Sequence, residues 1–142
     1  LGLEQRPCLD SVEYADDIPF LSDRKDVLHV VRRLVDRYLA EELHLTMKGN
    51  WQIFPIARNR QYKSGRALDY VGYKFYREQK LIRKSIKQNF CRAAAKLNKS
   101  RRPVPVKAYK MAVASWLGWA QHSNSKHLLK SIIKPQYYAS IL

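Results

Sequence analysis

Two short apolar runs, VEY at 12–14 and IPFL at 18–21, flank Ala15, Asp16 and Asp17. That pattern predicts two strands joined by a tight turn, for which aspartate supplies the turn chemistry. Pro19 has no backbone N–H, so the second strand belongs on a sheet edge or at a bulge. From Asp23 to about Glu42 the period changes: Val27, Val31, Leu34 and Tyr38, with Leu28, Val35 and Leu39 beside them, form an apolar stripe at helical spacing, and Ser22 or Asp23 caps its start. Residues 44–47 and 51–56 again read as strands, turning at Lys48, Gly49 and Asn50, the last two of which tolerate a positive φ. A polar, basic loop, ARNRQYKSGRA, precedes a run at 69–76 rich in β-formers, with Gly72 inside it where backbone must approach something closely. EQK marks a further turn.

Beyond residue 80 the texture is helical. In LIRKSIKQNFCRAAAKL, Ile82, Ile86, Phe90 and Ala94 recur every fourth residue, with Arg83, Lys84, Lys87, Arg92 and Lys96 distributed around them, which predicts a basic amphipathic helix. NKSRRPVP reads as a linker, VKAYKMAVASWLGWAQ as a second helix ending near Gly118, and SKHLLKSIIK as a third, stopped by Pro135. The expected fold class is α+β: an antiparallel sheet with a packed helix over 12–80, followed by three helices over 81–142. Residues 1–11 carry no usable periodicity and are expected to be disordered, and the lack of an initiator Met points to a chain cut from something longer.

The 142 residues, 46% of them hydrophobic, suffice for one domain or two small lobes. No run approaches the roughly eighteen apolar residues of a membrane span, and the N-terminus lacks the basic-then-apolar order of a signal peptide, so a soluble protein without a membrane partner is expected, and the cysteine usage makes a reducing cytoplasm the expected compartment. Cys8 and Cys91 form no CxxC spacing and suggest neither a disulfide framework nor zinc or redox chemistry. Charge changes the picture more. Residues 1–57 hold 7 Lys and Arg against 10 Asp and Glu, whereas residues 58–142 hold 20 against 2, so an excess of +18 lies in the second part. A single-sign field of that strength opposes compaction unless a polyanion offsets it, which points to nucleic acid ahead of acidic membrane.

Asp16 beside Asp17 is a liability unless water, cations or a metal ion offset their repulsion. A solvated acidic turn is the plain reading and a metal site the sharper one. YADD on a hairpin, followed by a helix and a second hairpin, resembles the palm of reverse transcriptases, where an aromatic, a small residue and two aspartates sit on a β-turn. LDYVGYKF is similar to the primer-grip strand of bacterial retroelement enzymes, the DFLGY type, and ASWLGWAQHSNSKHLL to their SYLGHLKHANSxxL thumb segment. These motifs, in the family's order, cover about residues 12–133 and resemble the group II intron, retron or diversity-generating type.

The resemblance implies half a palm over 12–80 and a helical thumb over 81–142, without fingers. It implies RNA-directed DNA polymerase chemistry: nucleotidyl transfer from a dNTP to a primer 3′-oxygen, assisted by two Mg²⁺ ions about 4 Å apart. Asp16 and Asp17 then stand as catalytic metal-site carboxylates, Tyr14 lines the floor near primer or nucleotide, and Ala15 stays small so that substrate can approach. Tyr70, Gly72 and Tyr73 fall on the primer grip. The family's further catalytic aspartate and its glycine-rich segment have no room here, and Asp10 lies too close to the hairpin to stand in. The late-palm lysine that can act as general acid has its register near Trp51, so Lys48 takes that role or is a plain turn lysine. Glu13 and Pro19 depart from the family pattern. The implied partners are an RNA template, an RNA·DNA hybrid and the missing N-terminal fingers and palm segment; the isolated chain is expected to be inactive. A non-catalytic, maturase-like RNA-binding module is the alternative.

Arg83, Lys84, Lys87, Arg92 and Lys96 make either a solvated helix face or phosphate contacts. His122 and His127 have a spacing that suits a metal but lack a partner, so packing or capping of the last helix is their expected role. Trp116 and Trp119 are expected in the core, with stacking on a sugar or base as the alternative.

Overall fold

In the computed structural model, which describes residues 8–141, the first hairpin reaches further back than the sequence predicts. Strands β1 (Leu9–Ser11) and β2 (Phe20–Ser22) pair antiparallel, Leu9 opposite Ser22 and Ser11 opposite Phe20. The expected disorder of 1–11 therefore fails over Leu9–Ser11, a segment too short to show a period by itself; residues 1–7 lie outside the described residues. One further bond toward the tip runs from Val12 N–H to the Pro19 carbonyl (3.4 Å), so Pro19 takes part as an acceptor, while the regular ladder ends at Ser11 and Phe20 beside its missing donor.

Helix α1 (Lys25–Glu41) follows and lies against β2. The N-cap is Arg24 with no side-chain cap bond, so neither Ser22 nor Asp23 caps the helix as expected; Ser22 Oγ accepts the Arg24 N–H at 3.2 Å, and Asp26 places negative charge in the first turn, where the exposed N–H groups favour it. The end of α1 overturns the expected hairpin at 44–56. His44 adopts φ 53°, and the Leu45 N–H turns back to the Leu39 carbonyl at 2.8 Å, so the helix stop uses a donor that a strand at 44–47 needs. Residues 51–55 form no strand either; Pro55 and Ile56 pair instead with Arg66, in the basic loop.

The chain divides into two compact units between Phe54 and Pro55. The expected change of texture at residue 80 falls inside the second unit, because its sheet packs on its helices. Strands β3 (Leu68–Tyr70), β4 (Tyr73–Phe75) and β5 (Lys80–Ile82) form an antiparallel sheet in that order. The single strand expected at 69–76 is split by a two-residue turn in which Val71 and Gly72 both have positive φ, 42° and 75°. Positive φ at both central positions matches the right-handed strand twist, natural for Gly72 and strained for β-branched Val71. Gly72 also makes the close approach expected of it: an added Cβ there lies 2.5 Å from the Trp119 ring.

Helix α2 (Lys84–Asn98) begins later than the amphipathic pattern suggests, since Lys80–Ile82 belongs to β5. Helix α3 (Val106–Gln121) runs on through Gly118, and α4 (Lys126–Ile132) is followed by a fourth helix of this unit, α5 (Pro135–Ile141), not expected from the sequence. Pro135 stops one helix and starts the next, because a first helical position needs no N–H donor and the ring presets φ. The core joins Ile82, Phe90, Ala94, Tyr109, Val113, Leu117, Ala120, Leu129, Ile133 and Tyr137. Tyr109 and Tyr137 stack at 4.2 Å, and their hydroxyls donate to Asn98 Oδ1 (3.0 Å) and the Val104 carbonyl (2.9 Å), so the polar tips are satisfied inside. No helix among the described residues is long and apolar enough to cross a membrane.

Candidate functional site

The tip of the first hairpin is a two-residue turn. Tyr14 and Asp17 bridge each other by reciprocal backbone bonds, 3.2 Å from the Tyr14 N–H and 3.0 Å from the Asp17 N–H, leaving Ala15 and Asp16 at the apex. Ala15 sits at φ 53°, the positive value that hairpin turns of this length require at their first central position. Alanine carries a Cβ and so bears a steric cost there that glycine would avoid. Tyr14 is 61% exposed, and Ala15, Asp16 and Asp17 are exposed with it.

The turn at Lys48 comes back to this tip within the same unit. Lys48 Nζ donates to Asp16 Oδ2 at 3.4 Å, with both side chains about four-fifths exposed (78% and 80%). Asp16 is held below the usual carboxylate range, first by a hydrogen bond from its own backbone N–H and then by Lys48. Thus Lys48, distant in the sequence, joins the contiguous Tyr14, Ala15, Asp16 and Asp17 at one exposed apex. Elsewhere in the unit Arg32 stacks over Trp51 at 4.4 Å and pairs with Asp36 at 3.4 Å, which ties the segment after Lys48 to α1.

Paired aspartate carboxylates offer hard oxygen donors, and Mg²⁺ suits such a set because it binds through one or two carboxylates while keeping waters or substrate phosphates for its other positions. Among the described residues no three His, Cys, Asp or Glu side chains cluster as a metal site. Asp10 is on β1 and accepts from Cys8 Sγ at 3.5 Å, outside the apex.

The second unit places the other sequence-predicted residues. Tyr73 faces inward: its ring lies 4.9 Å from Trp119, its hydroxyl donates to the Trp119 carbonyl at 3.2 Å, and burial raises its pKa. Gly72 is buried against Trp119 and Ile86, while Tyr70 is half-buried at the end of β3. Trp116 stacks on Phe90 at 6.1 Å, so both tryptophans take the core role. Arg83 is bound to Asp69, with Nε and Nη2 both 2.7 Å from Oδ1, and Lys74 reaches the same carboxylate at 3.8 Å. Lys84, Lys87, Arg92 and Lys96 are exposed along α2, which buries Phe90 and Ala94 on its other side.

His122 and His127 are both exposed, and the N-cap of α4 is Ser125 with no side-chain cap bond, so neither histidine packs or caps as expected. The sequence reading passed over Lys80, whose ammonium sits 5.2 Å above the Tyr73 ring and 5.9 Å from Phe75, and over Tyr62, 56% exposed between Arg60 and Lys63. For Tyr62 a signal was present in the interleaving of an aromatic with cations. The chain matches no family profile, no curated protein and no solved structure.

Proposed function

We propose that this chain is part of an RNA-directed DNA polymerase, with the Asp16–Asp17 turn as its metal-binding carboxylates and the basic C-terminal unit as its nucleic-acid grip. The observation that carries the reading is the exposed apex on which Tyr14, Ala15, Asp16 and Asp17 stand together with Lys48, 3.4 Å from Asp16. Mg²⁺ bound there supplies activation of a primer 3′-hydroxyl and charge neutralisation on the dNTP phosphates. The residues of the chain do the rest. Asp16 and Asp17 position and charge-balance the cations, Ala15 keeps the approach open, and Tyr14 presents a flat surface to the primer end or nucleotide. In this reading Lys48, now paired with Asp16 at 3.4 Å, hands a proton to the leaving pyrophosphate. Lys84, Lys87, Arg92 and Lys96 hold an RNA·DNA hybrid by its phosphates, and Tyr70 borders the primer side of the sheet, with Gly72 and Tyr73 fixing that strand pair from behind.

A nucleic-acid-binding module without catalysis, maturase-like in its partners, is the second reading, favoured by the +18 of the residues after 57 taken alone. Primer extension separates the two. In a protein that joins this chain to a further carboxylate and to fingers, Asp16→Asn abolishes dTTP incorporation on poly(rA)·oligo(dT), while hybrid binding stays within a few fold. Asp17→Asn does the same, and the 142-residue chain alone binds hybrid without extending it. Extension that survives Asp16→Asn at ordinary Mg²⁺ removes the catalytic assignment of Asp16.

A further inference from the structure

The basic loop between Ala57 and Arg66 is built more firmly than its composition suggests. Its ends are clasped by Ala57 N–H to the Arg66 carbonyl and Arg66 N–H to the Pro55 carbonyl, each 3.0 Å. Gly65 closes it at φ 81°, where a Cβ would lie 2.6 Å from the Pro55 oxygen. The turn between β4 and β5 buttresses it: Arg77 N–H donates to the Ala57 carbonyl (3.1 Å), Glu78 N–H to the Arg58 carbonyl (3.0 Å), and Arg60 N–H to Gln79 Oε1 (3.3 Å). At the far end, Asn59 caps a tight turn, its side chain accepting the Gln61 N–H at 3.0 Å and its carbonyl the Tyr62 N–H at 3.2 Å. The loop is therefore a fixed mount, and what it mounts is Arg60, Tyr62 and Lys63, all exposed.

Charge narrows the partner. The unit has just two acidic side chains, and both are engaged internally, Glu78 by Arg58 at 2.6 Å and Asp69 by Lys74 and Arg83. Exposed Arg77, at the base of the loop, adds to the cations there. An aromatic ring held outward among cations is the arrangement that captures an unstacked base while the flanking phosphates are neutralised. In a duplex the base faces are already stacked on one another and unavailable to such a ring. We propose that this loop is a docking point for single-stranded nucleic acid, with Tyr62 stacking on one base and Arg60 and Lys63 on the adjoining phosphates. The proposal rests on this loop and not on the carboxylate hairpin, so it stands or falls apart from the polymerase reading.

The test is fluorescence anisotropy on the whole chain with labelled oligo(rU) and oligo(dT) strands, a blunt RNA·DNA hybrid and acidic phospholipid vesicles. Tyr62→Ala is expected to weaken binding to both single strands about tenfold, the usual worth of one stacked base, while Tyr62→Phe binds as the parent does and the blunt hybrid is unaffected by either. Arg60→Gln with Lys63→Gln is expected to flatten the dependence of log K on log salt by about 0.7 per cation removed for single strands. Unchanged single-strand affinity in Tyr62→Ala overturns the proposal. So does an equal loss on the blunt hybrid, or a Tyr62-dependent interaction with vesicles that single strands do not share. Loss of extension on Asp16→Asn has no bearing on any of these readings.

Discussion

The N-terminal unit leaves its apolar residues half-buried or exposed, Val27, Val31 and Val35 among the former, and the C-terminal unit buries a core. Up to Phe54 no described residue is buried; Leu34 and Tyr38 on α1 are each 57% exposed, and the unit is held by backbone pairing, the Arg32–Trp51 stack and a helix laid on a two-stranded sheet. From Pro55 onward Phe90, Ala94, Tyr109 and Val113 are at most 1% exposed. Charge divides at nearly the same point, with the acidic excess in the first unit and +18 after residue 57. Paired carboxylates belong on a protruding apex that substrate can reach, whereas a phosphate-binding surface needs a rigid, core-bearing support for its cations. Under the proposed function, that difference in packing would divide the work: displayed carboxylates in one unit, cations on a core-bearing support in the other.

The largest expected effect breaks the comparison if it is absent. Phe90→Ala is expected to cost about 3–5 kcal/mol in urea unfolding, for the lost transfer energy and the cavity left beside Trp116, whereas Leu34→Ala on the exposed stripe stays within about 0.5 kcal/mol. Equal costs would mean that α1 has a core of its own. Next comes Gly72→Ala, which sets a Cβ against the Trp119 ring at a positive φ and is expected to cost about 1–3 kcal/mol. Smaller, and opposite in sign, is Val71→Gly, which relieves a β-branched residue at φ 42° and is expected to gain up to about 1 kcal/mol. A loss there would show that Val71 packing outweighs its backbone strain.

The smallest effect concerns the apex. The Asp16 carboxyl is shifted down in the folded chain, so its contacts are complete above the ordinary carboxylate pKa and are lost as pH falls through the lowered value. Lys48→Met should move that value only part of the way back, because the backbone hydrogen bond at Asp16 contributes more than the lysine does. A carboxyl-carbon NMR titration reads both positions. An unmoved Asp16 pKa in Lys48→Met would mean that the 3.4 Å contact does not persist in solution.

Local signals made the hairpin at YADD, α1 and the two long helices legible, since each rests on turn chemistry or on periods of ten residues or more. The apex itself was half legible: adjacent aspartates could be seen, but Lys48 reaches Asp16 only through a chain reversal after α1. The hairpin expected at 44–56 failed for the same reason. Its pattern was strand-like, yet the Leu45 donor had gone to the helix stop and the Ile56 pairing to Arg66, choices made by tertiary context. Strand 69–76 hid a turn because Val71 disfavours the conformation that Gly72 and the Trp119 contact impose. Pro135 signals a stop in the sequence, and its chemistry serves equally as a start.

That grip and carboxylate chemistry reside in different units is tested most directly by the salt dependence of hybrid binding in two variants of the whole chain. With Asp16→Asn and Asp17→Asn together, the slope of log K against log salt should match the parent. With Lys84, Lys87, Arg92 and Lys96 all changed to Gln, it should fall by about 0.9 for each cation that meets a phosphate. An unchanged slope in the lysine and arginine variant, or a collapse of hybrid binding in the aspartate variant, would contradict the account.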